Sequence, residues 1–233
     1  MKVNAPHSWK VPPTEAKDIQ RELREKISYR ADFSDVHTIA GVDVGLKGDV
    51  ARAAVVVLSY PALEPVEQSV AEKPVTMPYI PGLLAFREAP AILSACEELA
   101  VEPDLFIFDG QGVAHPRRMG IASHVGVILD KPSIGCAKSR LCGTHHEPSR
   151  EAGSYVHLYD GEEVIGAVLR TRSNVSAVYV SVGHRIDLDT AIEYVLGCCK
   201  RYRLPEPIRY AHRAASGEQL SFGGVQQSLF ELS

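Results

Sequence analysis

The run Leu105-Phe-Ile-Phe-Asp-Gly-Gln-Gly112 constrains this chain more than any other segment. Four consecutive large apolar residues bounded by polar and glycine positions suit a short strand covered on both faces, which is how strands of a parallel sheet are buried. A glycine-rich loop then leads into an apolar helix over 119–129 and a second apolar strand over 133–137. That order is a βαβ unit, and it places the chain in the α/β class. Upstream, 38–45, 51–58 and 65–72 read as strands separated by Gly48-Asp49 and Pro61-Ala62. Connections this short allow only an antiparallel meander. The expectation is therefore a mixed sheet, an antiparallel meander plus parallel strands, flanked by helices.

The remaining elements follow from periodicity and breakers. Pro12-Pro13-Thr14-Glu15 is a helix start, and Ile19, Leu23 and Ile27 continue an amphipathic helix over about 14–30. Residues 74–82 are broken by prolines, and a helix over 82–100 is expected to kink at Pro90. Strands are expected at 154–159, 163–171 and 177–182, a helix at 188–202, and a further helical segment around His212. With no repeat or break in composition, residues 1–233 read as one domain whose tail after about 216 has no assigned role.

Several classes are excluded by what is missing. The apolar runs 53–58 and 105–108 fall far short of the roughly 18 residues of a membrane helix. The first thirty residues are polar and lack the apolar stretch of a secretory signal, so a cytoplasmic protein that does not engage membranes is expected. A net charge of −4 argues against a non-specific nucleic-acid coat. Five cysteines, an odd set without framework spacing, read as reduced structural thiols.

Two carboxylates interrupt this apolar framework. Asp43 lies within Ile39-Ala-Gly-Val-Asp-Val44, and Asp109 ends the opening run. A buried carboxylate needs a cation, backbone donors or a raised pKa. Asp109 alone, before Gly110, would more often be a strand-end cap. The topology changes that balance, because a meander followed by right-handed crossovers lays strand 38–45 beside strand 105–108 and brings both acids to one end of the sheet. Two facing carboxylates suit a hard divalent cation, Mg²⁺ or Mn²⁺. Glu88, otherwise an ordinary helix-surface residue beside Arg87, completes the acid set.

The stretches Ile39-Ala-Gly-Val-Asp-Val44, Pro78-Tyr-Ile-Pro-Gly-Leu-Leu-Ala-Phe-Arg-Glu88, Phe108-Asp-Gly-Gln-Gly-Val-Ala-His-Pro-Arg-Arg-Met-Gly120, Gly135-Cys-Ala-Lys-Ser139 and Tyr210-Ala-His-Arg213 together closely resemble the endonuclease V family, in family order. The resemblance implies an RNase H-like fold and a metal-dependent DNA repair endonuclease. The family recognises deaminated adenine, as deoxyinosine, and hydrolyses the second phosphodiester bond on its 3′ side, leaving 3′-hydroxyl and 5′-phosphate ends. It implies that Asp43, Asp109 and Glu88 hold Mg²⁺, with Mn²⁺ as a substitute, and that His115, Lys138 and His212 are further catalytic positions. It makes Tyr79, with Ile80 and Pro81, a wedge beside the deaminated base, and Gly82, Gly112 and Gly120 walls of the base pocket.

The chemistry of these residue types is compatible with those roles. A compact ammonium at Lys138 can balance phosphate charge, and His115 or His212 can position water or protonate a leaving oxygen. Between prolines, Tyr79 sits on a stiff loop. Arg117 and Arg118, together with Lys200, Arg201, Arg203, Arg209 and Arg213, are candidates for phosphate contacts. The expected partner is DNA containing deoxyinosine, bound by a monomer. Single-stranded RNA containing inosine is the alternative substrate, which would make the protein an inosine-specific endoribonuclease of the same fold. A rival from another class is a non-catalytic zinc-stabilised binding module built on Cys136, Cys142, His145 and His146, although their spacing lacks a second compact pair.

Overall fold

The structure is a computed structural model, and it describes all residues except 2, 4, 34 and 222–233. The last part of the tail after 216 therefore lies outside the described residues. Strands β1 (Thr38–Lys47), β2 (Val50–Ser59) and β3 (Pro65–Pro74) form the meander. Gly48, with φ of 58°, supplies the left-handed residue that a two-residue turn needs between paired Lys47 and Val50. Helix α2 (Leu84–Glu97) follows and runs through Pro90, whose missing N–H leaves the carbonyl of Phe86 without its helical donor.

Strand β4 (Leu105–Phe108), helix α3 (Ile121–Leu129) and strand β5 (Ser133–Ala137) are the expected βαβ unit. Strands β6 (Tyr155–Asp160), β7 (Glu163–Leu169) and β8 (Val178–His184) extend the sheet, and α4 (Leu188–Gly197) and α5 (Glu206–Ala215) close the fold. The eight strands lie in the order β3-β2-β1-β4-β5-β8-β7-β6, parallel only at β1–β4 and β4–β5. This mixed sheet flanked by helices is the RNase H-like fold.

Alternation along the strands decides which side chains meet which helices. Ile39, Leu105, Ile107 and Ile134 pack with Ile192, Ile208 and Ala211 of α4 and α5. Val42, Phe106 and Phe108 pack with Ile92 and Val125 of α2 and α3 on the opposite face. Helix α5 lies unusually close to β1, since a Cβ on Gly41 would stand 1.9 Å from the carbonyl oxygen of Pro207. Only glycine fits there, and this approach carries His212 over the end of β1.

The N-terminal helix is shorter than its periodicity predicts. Helix α1 spans Pro13–Arg24. Beyond it, the N–H of Arg185 donates to the carbonyl of Ser28 at 2.7 Å, while the Ser28 N–H donates to Nδ1 of His184 at 3.2 Å. The chain is thus drawn to the end of β8, and Ile27 packs into the α4 and α5 core instead of continuing the α1 stripe. Helix α4 likewise ends at Gly197, five residues before the predicted 202, because the chain turns at Cys198, whose carbonyl accepts from Glu206 N–H at the start of α5. No helix among the described residues is long and apolar enough to cross a membrane.

Candidate active site

Three functional side chains share one face because they continue the same alternation. Asp43 follows Ile39 and Gly41, Asp109 follows Leu105 and Ile107, and Lys138 follows Ile134 and Cys136. In the parallel register Val42 stands opposite Phe108, and Asp109 N–H donates to the carbonyl of Val42 at 2.9 Å. Asp43 and Asp109 therefore leave adjacent strands side by side at their carboxyl ends. The crossover topology expected from the sequence produces this juxtaposition.

Each acid has a cationic or polar partner. The Lys138 ammonium donates to Asp109 Oδ2. Nδ1–H of His212 donates to Asp43 Oδ2 at 2.7 Å, which leaves Nε2 of that exposed ring facing solvent. Burial raises the Asp109 pKa; the Lys138 hydrogen bond works against this, and the nearby Asp43 charge adds to it. Glu88 projects from α2 toward the same acids. Its carboxyl is pushed up to about 8, first by burial and then by the Asp43 and Asp109 charges, with Arg87 opposing.

The donor chemistry fits a hard divalent cation, consisting of carboxylate oxygens whose mutual repulsion a cation would relieve. Among the described residues, no three His, Cys, Asp or Glu side chains are grouped closely enough to ligate one ion. Asp43 and Asp109 are turned instead to His212 and Lys138. The residues of the zinc module are engaged elsewhere. Cys136 is fully buried with its thiol pKa raised well above the usual range, and His145 is engaged with the His146 carbonyl at 2.9 Å.

The titration of Glu88 sets a pH dependence in the metal-free protein. The folded state keeps this proton up to about pH 8, whereas the unfolded chain loses it near 4.5, so folding stability falls as pH rises through that window. Glu88→Gln, which needs no proton, is expected to melt higher than the wild type in EDTA. The gap should widen from about pH 5 to pH 8. A constant gap measured by thermal melts across that range would show that Glu88 is ionised in the fold.

Beside the acids lies a cavity of about 310 Å³ lined by Tyr79, Ile80, Pro81, Gly82, Asp109 and Gly120 among others. Tyr79 stands at its mouth, 71% exposed. Gly82 and Gly120 line this cavity. Gly112 does not: it packs behind, where a Cβ would stand 2.0 Å from the carbonyl oxygen of Val182.

The carbonyl oxygen of Gly82 anchors the Tyr79 loop. It accepts from Gln20 Nε2 at 3.0 Å, His115 Nε2 at 3.0 Å and an Arg117 terminal nitrogen at 2.7 Å. Gly82 itself has φ of 79°, and a Cβ would meet the Arg117 guanidinium at 2.7 Å. Arg117 also donates to Gln20 Oε1 at 2.6 Å, and Gln20 reaches the Met119 carbonyl at 3.0 Å. Gln20 was not foreseen from sequence; the only hint is a polar residue on the buried face of an amphipathic helix.

This clamp changes the reading of three residues. His115 is buried, donates from Nε2 to Gly82 and accepts at Nδ1 from Arg117 N–H at 3.1 Å. Burial lowers its pKa to about 4. Both of its ring nitrogens are thus occupied in the clamp. Arg117 is spent on Gly82 and Gln20 in place of a phosphate. Arg118, its side chain 12% exposed, pairs with Asp160 at 2.8 Å and Glu163 at 2.6 Å. Arg209 donates from one terminal nitrogen to both oxygens of Glu206, and Arg213 is bidentate to Glu218.

A mixed sheet carrying paired carboxylates at the ends of parallel β1 and β4, with a basic residue from β5 and a stiff aromatic loop beside a cavity, defines an RNase H-like nuclease. The chain belongs to the endonuclease V family, whose family model matches residues 21–213. It is 52% identical over 208 residues to the endonuclease V of Roseiflexus sp. (strain RS-1), covering 89% of this chain and 94% of that one. The crystal structure of endonuclease V from Streptomyces avermitilis superposes with a TM-score of 0.86 at 39% identity, covering 99% of both chains. Ciona intestinalis endonuclease V, in complex with a 24mer DNA containing an inosine followed by a ribo-adenosine, superposes with a TM-score of 0.76 at 28% identity, covering 94% of this chain and 98% of that one.

Proposed function

We propose that the protein is a divalent-metal-dependent DNA repair endonuclease that recognises hypoxanthine in DNA, as deoxyinosine, and hydrolyses the second phosphodiester bond on its 3′ side. The products carry 3′-hydroxyl and 5′-phosphate ends. The observation that carries this reading is the side-by-side exit of Asp43 and Asp109 next to a cavity guarded by the exposed ring of Tyr79. The inosine-containing DNA bound by the Ciona protein supports the substrate class.

In this reading Asp43 and Asp109 hold Mg²⁺, or Mn²⁺ in its place, with Glu88 as a further acid. The cation supplies an activated water and offsets charge on the leaving oxygen. Lys138, half-exposed beside Asp109, balances phosphate charge at the same point. His212 has its imidazole oriented by Asp43, and its free Nε2 can hold a water and take its proton, which the resulting imidazolium can then give to the leaving oxygen. The cavity walls Gly82 and Gly120 receive the displaced base while Tyr79 fills the gap it leaves. All of these groups come from one chain, so a monomer suffices, acting in the cytoplasm.

The test is side-by-side cleavage of matched DNA and RNA strands, each with one inosine, with and without EDTA. The expected result is a DNA cut at the second bond 3′ to inosine, abolished by EDTA. Cutting of RNA alone would instead identify an inosine-specific endoribonuclease.

A further inference from the structure

Most of the arginines that the sequence offers for phosphate contacts spend their donors inside the protein, so the phosphate surface must be sought among cations that remain unengaged. A groove of about 780 Å³ begins at Lys138 and Arg140, the segment that also closes the base cavity. Its frame is tied by two arginines. Buried Arg170 donates to the Ser149 carbonyl at 3.0 Å and to Glu147 at 2.7 Å on one wall, and to the Val175 carbonyl at 2.5 Å on the other. Arg203 donates to the carbonyls of Lys138 and Ala177, both at 2.7 Å. The groove is therefore held open by cross-links before any ligand arrives.

Two further cations line this frame without being part of it. Arg140 and Arg150 are exposed, and among the described residues neither guanidinium has a hydrogen-bond or ion-pair partner. Glu147 is the one acid lining the groove, and Arg170 already neutralises it. An uncancelled pair of guanidiniums in a rigid groove continuous with the catalytic Lys138 attracts a polyanion.

We propose that this groove carries the nucleic-acid backbone next to the cleavage site, with Arg140 and Arg150 contacting phosphates. It rests on the reading of the substrate as a nucleic-acid strand. The contacts carry no base information, so they act on inosine-containing and ordinary strands alike.

The experiment is fluorescence anisotropy in EDTA, where nothing is cut, using inosine-containing and ordinary single strands over a series of salt concentrations. Arg140→Ala with Arg150→Ala should flatten the plot of log affinity against log salt by about 0.7 per cation on both strands. The paired Arg→Lys variant, which keeps both charges, should restore the slope. Melting curves check that each variant is folded. A folded double-alanine variant with the wild-type slope would overturn the groove assignment while leaving the nuclease reading intact. A wild type that binds neither strand would remove both.

Discussion

Asp43→Ala and Asp109→Ala are each expected to lower single-turnover cleavage of an inosine-containing strand by about a thousandfold or more at saturating Mg²⁺, some 4 kcal/mol of transition-state stabilisation. The size follows from what each carboxylate is asked to do, since nucleophile activation and leaving-group stabilisation depend on the same cation. The variants should nevertheless fold. The Asp43 charge is close enough to raise the pKa of Asp109, so deleting either one relieves the repulsion between them in the metal-free protein. The partners left behind, Lys138 and His212, are about half-exposed and can return to water. Melting temperature in EDTA should therefore stay level or rise, while the rise that Mg²⁺ gives the wild type by binding the folded state should vanish. A variant that cleaves at the wild-type rate, or that melts several degrees lower in EDTA, would show the carboxylate to be a structural cap.

The legibility of this site from sequence depended on the kind of interaction involved. Asp43 and Asp109 could be placed together because strand alternation and crossover handedness are local rules with long-range consequences. Once 105–108 is a strand beside 38–45, the acids that follow must be neighbours. Lys138 and Glu88 follow from no such rule; in the sequence they are marked only by the motifs around them. What could not be read is how donors are spent. Arg117, Arg118, Arg209 and Arg213 look alike in sequence to Arg140 and Arg150, yet the first four are engaged by Gly82, Asp160, Glu163, Glu206 and Glu218. The contacts of Arg117 and Arg118 span 35, 42 and 45 residues and leave no periodic trace, whereas Arg209 and Glu206 are an i,i+3 pair on one helix. The clamp on the Gly82 carbonyl is of this kind. It engages both ring nitrogens of His115, and it brings in Gln20 from 62 residues away. Helix α1 stops short of its apolar periodicity for a related reason, because Ser28 is held at the end of β8 by the Arg185 N–H and the His184 ring, contacts that no residue preference encodes.

Removing the ring of Tyr79 is expected to separate lesion recognition from folding. Displacing a base costs a few kcal/mol of stacking and pairing, least for a mismatched or damaged base, and an inserted ring recovers part of that cost. Tyr79→Ala should therefore weaken binding to an inosine-containing duplex by roughly ten- to a hundredfold, with a smaller loss on single strands, where less stacking is broken. Its melting temperature should stay within about a degree of the wild type, because a ring 71% exposed contributes little packing. Gln20→Ala tests the support beneath the ring. It removes one of three donors from the Gly82 carbonyl and leaves Arg117 without its 2.6 Å acceptor. The loop should then hold Tyr79 less rigidly, and lesion preference should fall in the same direction as in Tyr79→Ala, with an added loss of about 1–3 kcal/mol in stability from the unpaired buried groups. If Tyr79→Ala melted several degrees lower and kept its preference for inosine over undamaged duplex, the ring would be packing and the wedge would have to lie elsewhere on the loop.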